Sequence, residues 1–243
     1  MSDTFPTRWA SLLLLGYSLL LGCGQTNTAY VEDSEDIAAI GAAMKDFEAA
    51  YKMYPPVNEN PDAESAAPLN TDLSWRVRIL PFIGEEELYA RFDTRKPWDD
   101  PANEPLIGEI PDVFRPSSIE VPPGHTTYRL IAIEDGPWET LETQRRDILD
   151  GVARTIMVVG CGEERAVPWT QPELLAYESP DSLGTPPLPP TLDGDGWPIV
   201  TFDGGTDRLS PKMRENEDIL RGLLTARGDE QFEQTRLDAI QAP

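Results

Sequence analysis

Covalent or metal chemistry would need a nucleophile, a base or a cluster of ligands, and this chain offers few of each. It has one histidine, His125, and two cysteines, Cys23 and Cys161. Cys161 stands in VVGCGEE, just past an apolar run. Its neighbours Glu163 and Glu164 should raise a thiol pKa, the reverse of what an activated nucleophile needs, so a small residue packed at a strand end is expected there. Gly160-Cys161-Gly162 lacks the third glycine and the following helix of a phosphate cradle, and the two glutamates would repel the phosphate. Asp193-Gly194-Asp195-Gly196, with Asp203 and Asp207 beyond, supplies the oxygen ligands calcium prefers on a glycine-rich backbone. Because Gly204 stands where an EF-hand needs its bidentate Glu, these four aspartates form a candidate calcium turn of another kind, set against a plain solvated acidic turn. Glu85-Glu86-Glu87 reads as a solvated helix face, since no spacing singles out a carboxylate pair for glycoside chemistry. Trp75, Trp98 and Trp197 are expected in the core. Trp138 and Trp169, each beside a proline, are the two placed to form an exposed sugar or peptide platform. No catalytic or cofactor-binding set emerges, so no enzyme activity and no cofactor are expected.

The charge balance narrows the partners. Forty-three acidic against 20 basic residues give a formal net charge of −23. Such a surface repels nucleic acid, which needs a basic footprint, and gains nothing from anionic headgroups, so residence at a membrane would need a covalent anchor. The amino terminus offers one. Residues 9–22 (WASLLLLGYSLLLG) carry no charge and would make about 21 Å of helix, short of a hydrocarbon core of about 30 Å. They read as the apolar region of an export signal. Leu20-Leu21-Gly22-Cys23 resembles the lipobox of bacterial lipoproteins, in which a small residue precedes a cysteine that receives diacylglycerol before the signal is removed. The resemblance implies lipidation at Cys23 and anchorage of the mature chain to a membrane of the cell envelope, while Leu21 is bulkier than is usual in the box. With Cys23 acylated, Cys161 has no intramolecular disulfide partner.

The elements that would carry these residues follow from periodicity and punctuation. Residues 1–22 are the expected signal and 23–33 a polar tether, after which Asp33 and Asp36 have the spacing of a capping-box helix start. Ile37, Ile40, Met44, Phe47, Tyr51 and Tyr54 recur on one helical face, with Gly41 and Ala43 permitting close approach, and Pro55-Pro56 ends the helix. Ser74 reads as the N-cap of a short helix in SWRVRILPFIG, and a second covers residues 85–92. TYRLIAI (127–133), TIMVVG (155–160) and PIVTF (198–202) are β-branched or aromatic runs bounded by turn residues, hence strands. Asp203-Gly204 closes a hairpin to TDRL. Many of the 24 prolines crowd residues 180–198, a Pro-rich loop. Ile219, Leu220, Leu223 and Leu224 mark a helical segment at about 215–228. The expectation is a single α+β domain over 34–243, a long amino-terminal helix packed on a small antiparallel sheet with helical and Pro-rich insertions.

Several blocks then resemble one family. IGAAMKDFEAAYKMYPP, LSWRVRILPFIGEEELYARFDTRKPWDDPANEPLI, ILDGVARTIMVVG, AVPWTQPELL and VTFDGGTDRL are similar to the bacterial domain-of-unknown-function family 1559. The blocks around Trp75, Trp98-Asp99 and Val167-Pro168-Trp169 are the specific ones. Members of that large paralogous family usually begin with a pilin-type amino terminus and look like secretion pseudopilins, so the resemblance implies a pilin-like fold and an envelope location, and no activity. Two features depart from it. The signal and Cys23 stand where the family carries its apolar pilin helix, and Asp193 stands where the family's carboxy-terminal signature, a His nine residues ahead of Asp-Gly, would place its histidine. The reading that results is a lipid-anchored envelope protein, a structural or protein-interaction domain whose partners are the membrane, through Cys23, and other envelope or secretion proteins. A calcium- or glycan-binding module is the alternative and a hydrolase the third.

Overall fold

A computed structural model of the chain describes residues 22–57, 72–139, 142–187 and 196–227, with side chains described from residue 32. Residues 1–21 of the expected signal, and residues 188–195 of the Pro-rich loop with Asp193 and Asp195 among them, lie outside the described residues.

The apolar periodicity after Ile37 does produce a helix, α1 (Gly22–Tyr51), 30 residues long. It starts well before the expected cap at Asp33. Once a helix is nucleated, extending it costs little per residue, so the polar stretch 23–33 continues α1 instead of forming a separate tether. Its end is also local chemistry. Lys52 takes φ +63° and its N–H reaches Glu48 O at 2.7 Å, a left-handed closure of the last turn. Tyr54 therefore lies beyond the helix, where its hydroxyl donates to Phe202 O at 2.7 Å.

Ser74 caps α2 (Trp75–Arg78) as expected, its hydroxyl accepting from Arg76 N at 3.2 Å. A 3-10 turn (Leu80–Phe82) and α3 (Glu86–Tyr89) follow. The strands are β1 (His125–Thr126), β2 (Tyr128–Arg129), β3 (Ile131–Ala132), β4 (Ile156–Gly160), β5 (Val167–Pro168), β6 (Leu175–Ala176), β7 (Trp197–Thr201) and β8 (Thr206–Leu209). The main sheet has the order β2-β4-β7-β8, all antiparallel, and the β7–β8 hairpin turns at Asp203-Gly204 with Gly204 at φ +83°. The run TYRLIAI does not make one strand. With β1 ahead of it, the segment 125–132 is shared among three partners, β1 with β5, β2 with β4, and β3 in parallel with β6. A helix, α4 (Glu217–Leu224), ends the described chain.

The main sheet is covered on both faces, which is why β4 and β7 read as nearly unbroken apolar runs. On one side Ile37, Ile40, Ala43, Met44 and Phe47 of α1 join Tyr128, Met157, Val158, Val200 and Phe202 in one core. On the other, Ile219, Leu220, Leu223 and Leu224 of α4 join Val159, Cys161, Trp197 and Ile199. A register shift between Ile156 and Val158 puts the adjacent Met157 and Val158 in the same core, as a bulge does. The architecture is α+β. Among the described residues no helix is long and apolar enough to cross a membrane.

Candidate functional site

Most side chains singled out for chemistry are used by the structure to hold the fold. Cys161 is fully buried. Burial pushes its thiol up to about 12, against the opposing pull of Arg129, Arg165 and Arg76, and Glu164 adds only a minor upward push. The expectation of an inert thiol holds, but desolvation and not the acidic neighbours is the main cause. His125 sits in β1 with Nδ1 3.0 Å from Pro123 O, and no hydrogen bond among the described residues joins it to Cys161. Gly162 leads into a clip, where the Glu164 carboxylate accepts from the Thr185 N–H at 2.6 Å and its hydroxyl at 3.0 Å.

Trp138 and Trp169 correct the idea of an exposed aromatic platform. They are 4 % and 0 % exposed. Trp138 packs with Tyr54 and Phe202. Trp169 stacks on Phe114 at 6.0 Å and donates its indole N–H to Ile107 O at 3.0 Å. The prolines beside them made the segments look like surface loops, while aromatic partners distant in sequence bury the rings. Of the calcium aspartates, Asp203 is engaged in its own hairpin. It accepts from Thr201 Oγ1 at 2.6 Å and Gly205 N at 2.9 Å, bonds that lower its pKa. Asp207 accepts from Arg208 N at 2.7 Å. Asp193 and Asp195 are outside the described residues, and among the described residues no group of three acidic, His or Cys side chains is arranged to hold a metal.

What the structure does bring together lies around α3 and the turns after it. An open groove of about 470 Å³ runs between α3 and residues 108–115. Leu88 and Ile110, each 7 % exposed, give it apolar footing. Arg91 grips Glu109 with both guanidinium nitrogens, the Nη2–Oε1 distance being 2.6 Å, and this pairing pulls the Glu109 carboxyl below its ordinary range. Arg115 holds Asp112 at 2.9 Å and also donates to Ile110 O. Each arginine in the lining is thus matched by a carboxylate, and Glu85 and Glu87 remain at the lip as acidic excess. An acidic rim over a small apolar floor suits a cationic protein segment better than an anionic small molecule.

Directly behind the same turn is a carboxylate cluster whose sequence pattern reads as a helix cap. Asp33 is 2 % exposed and accepts the backbone N–H groups of Ser117 at 2.6 Å and Ser118 at 3.1 Å. One turn along, Asp36 faces the same seam. Its pKa is raised to about 6, first by burial and then by the like charges of Asp33, Glu32, Asp112 and Glu35. Burial raises Asp33 too, with its hydrogen bonds to Ser117 and Ser118 opposing. Tyr128 completes the cluster, its hydroxyl buried without a hydrogen-bond partner among the described residues and its pKa driven well up by burial and by the charges of Asp33 and Asp36. The spacing of Asp33 and Asp36 was visible in the sequence, but the turn that buries them is some eighty residues away.

A family model described as a protein of unknown function (DUF1559) matches residues 34–131. No curated protein and no solved structure matches the chain. The matched segment contains Asp36, α2, α3, the whole groove lining and Tyr128, and it ends at β3, so the central β4–β7–β8 part of the sheet and α4 lie beyond it. Over that segment the chain is similar to the family of unknown function 1559, and of the five blocks that resemble the family the first two lie within the match.

Proposed function

We propose that the chain is an exported envelope protein, lipid-anchored at Cys23, whose α+β domain is a non-enzymatic interaction module built on a plan similar to that of pseudopilins. The observation that carries the reading is the placement of Cys23. It follows an uncharged apolar stretch of signal length and stands at the start of α1, the helix that runs into the core. A lipid on that cysteine would therefore be joined directly to the folded domain. The groove between α3 and residues 108–115 is the surface we assign to partner proteins of the envelope or secretion machinery. Support comes from its carboxylate-rich rim and from the burial of the nucleophile and the tryptophans that catalysis or glycan binding would have used.

Two measurements test this. Mass spectrometry of the mature chain is expected to find an amino terminus at Cys23 carrying acyl groups, and Cys23→Ser is expected to leave the membrane fraction. An unmodified terminus elsewhere overturns the anchor. Photocrosslinkers placed at Glu87 and Arg115 should capture envelope proteins in cells, with crosslinkers on α4 as controls. Equal capture from both faces overturns the groove assignment.

A further inference from the structure

The seam between the start of α1 and the turn 112–118 combines features that a purely structural contact would avoid. Asp33 and Asp36 stand one helical turn apart on α1, Asp33 bonds the amides of the turn, and Asp112 of the same turn brings a third charge to bear on Asp36. Glu32 and Glu35 add charge from the helix itself, and the phenol of Tyr128 from β2 is buried beside Asp33 and Asp36 without a hydrogen-bond partner among the described residues. The one cation on the turn whose contacts bear on these acids, Arg115, already spends its guanidinium on Asp112 and Ile110 O. What holds the seam is Asp33, whose carboxylate receives two backbone N–H groups. Such bonds are strongest to a charged acceptor. What loosens it is Asp36, which adds a second negative charge to a partly dry site with no counter-ion of its own among the described residues.

We propose that this seam is a proton-operated clasp, shut when Asp36 is neutral and loosened when Asp36 is charged, which governs how firmly the Asp112 wall of the groove is seated. The residues clasped, Ser117 and Ser118, directly continue the stretch 108–115 that lines the groove. Opening the clasp would free that wall and change the shape offered to a partner. The clasp deepens the interaction-module reading and rests on it for its consequence, but it can be tested without any partner.

The sign is fixed by linkage. Asp36 is raised in the closed state to about 6 from an ordinary 3.8, so the closed state binds the proton more tightly. Closure is then favoured at mildly acidic pH and lost progressively as pH rises through that window. The opening equilibrium can change about tenfold for every pH unit by which the closed and open pKa values differ. Because Asp36 is only half-buried, solvent screening reduces the full effect between pH 5.0 and 7.5 to about fivefold.

Hydrogen exchange of the full-length chain in detergent reads this directly, once each amide rate is divided by its intrinsic rate at that pH. Protection of a peptide spanning 115–119 is expected to fall about fivefold from pH 5.0 to 7.5, while a peptide in β4 stays unchanged. Asp36→Asn should hold the first peptide at its acidic level of protection at both pH values. Asp33→Asn should leave it weakly protected at both. The proposal is overturned if Asp36→Asn retains the parental pH slope, if protection is flat in the parent, or if the β4 peptide falls in parallel, which would mark a global and not a local change. None of these outcomes bears on where Cys23 is cut or on what crosslinks to the groove, so failure of the clasp and failure of the interaction reading are separable.

Discussion

Replacing Arg76 should reveal how much of the fold depends on one buried cation that has no carboxylate partner among the described residues. Arg76 is 0 % exposed, and burial drives its pKa well below the ordinary value. Its guanidinium donates through both Nε and Nη2 to Tyr128 O. Nη1 donates to Ser74 Oγ at 2.9 Å and reaches Trp169 O and Gln171 O at 3.5 Å. One side chain thereby joins α2, β2 and the segment after β5. Arg76→Met nearly preserves the volume and removes every donor. A buried acceptor left without a partner costs about 1–3 kcal/mol. The two 3.5 Å contacts are weak and Ser74 Oγ keeps the Arg76 backbone N–H, so the loss is concentrated on Tyr128 O, about 1–3 kcal/mol, with about 1 kcal/mol more for the lost Ser74 bond. Against it stands relief from burying an uncompensated charge, which in other proteins offsets part or all of such a loss. A net destabilisation of about 1–3 kcal/mol is expected for Arg76→Met, and less for Arg76→Lys, which keeps a donor but not the planar fork. Urea denaturation followed by tryptophan fluorescence measures it, with an unchanged slope showing that the unfolded state is not what moved. The loss should also be the same at pH 5 and pH 8, because among the described residues no titrating acid pairs with the guanidinium. A Met variant as stable as the parent would refute the reasoning, since the carbonyls would then not need the fork.

Three further outcomes test other parts of the structure. Trp138→Ala should cost about 3–5 kcal/mol in the same urea assay, as for other buried aromatics; a variant that unfolds like the parent would put the ring back on the surface. Alkylation of Cys161 at pH 8 should be negligible in the folded chain and rapid after denaturation, because a buried thiol pushed up to about 12 presents almost no thiolate; fast labelling of the native protein would contradict its burial. Gly41→Ala would set a Cβ 2.9 Å from Val200 Cγ1 and 3.2 Å from Gly204 O, an overpacking cost of about 1–3 kcal/mol that exceeds the gain in helix propensity of about 1 kcal/mol. Thermal melts of Gly41→Ala with and without Val200→Ala should show the second substitution recovering part of the loss, and a stabilised single variant would refute the tight α1–β7 contact.

Much of the framework was readable from local pattern. The apolar period of α1 from Ile37 onward, the Ser74 cap, the strands around Val158 and Val200 and the Asp203-Gly204 turn all depend on residues close together in sequence. What escaped was decided at long range. The segment 125–132 divides among three sheets because successive pairs of its residues find different partners, and nothing in TYRLIAI encodes where β5 and β6 will lie. Asp33 looked like a cap because acids three apart favour helix starts, yet its actual partners, the Ser117 and Ser118 amides, come from a distant turn. Trp138 and Trp169 looked exposed because of their prolines and are buried by rings from elsewhere in the chain. The candidate groove was the least legible of all, since its lining is built from 3-10 turns whose charges pair only after folding.

The early start of α1 bears on how far the domain could roam from a surface to which Cys23 was fixed. A flexible linker of the same length would let the groove explore a hemisphere of heights and orientations. A continuous helix from Gly22 onward instead interposes a strut of about 22 Å before the first buried residues of the core at Ile37. The distance from such an anchor would then be nearly constant, while swivelling at the lipid joint would still vary height and orientation. Partners held at a matching distance from the anchor would meet the groove at high effective concentration, and those nearer or farther would hardly meet it. Length, in this arrangement, acts as a filter on encounter, and inserting or deleting residues between Cys23 and Asp33 would retune it while also rotating the domain by about 100° per residue.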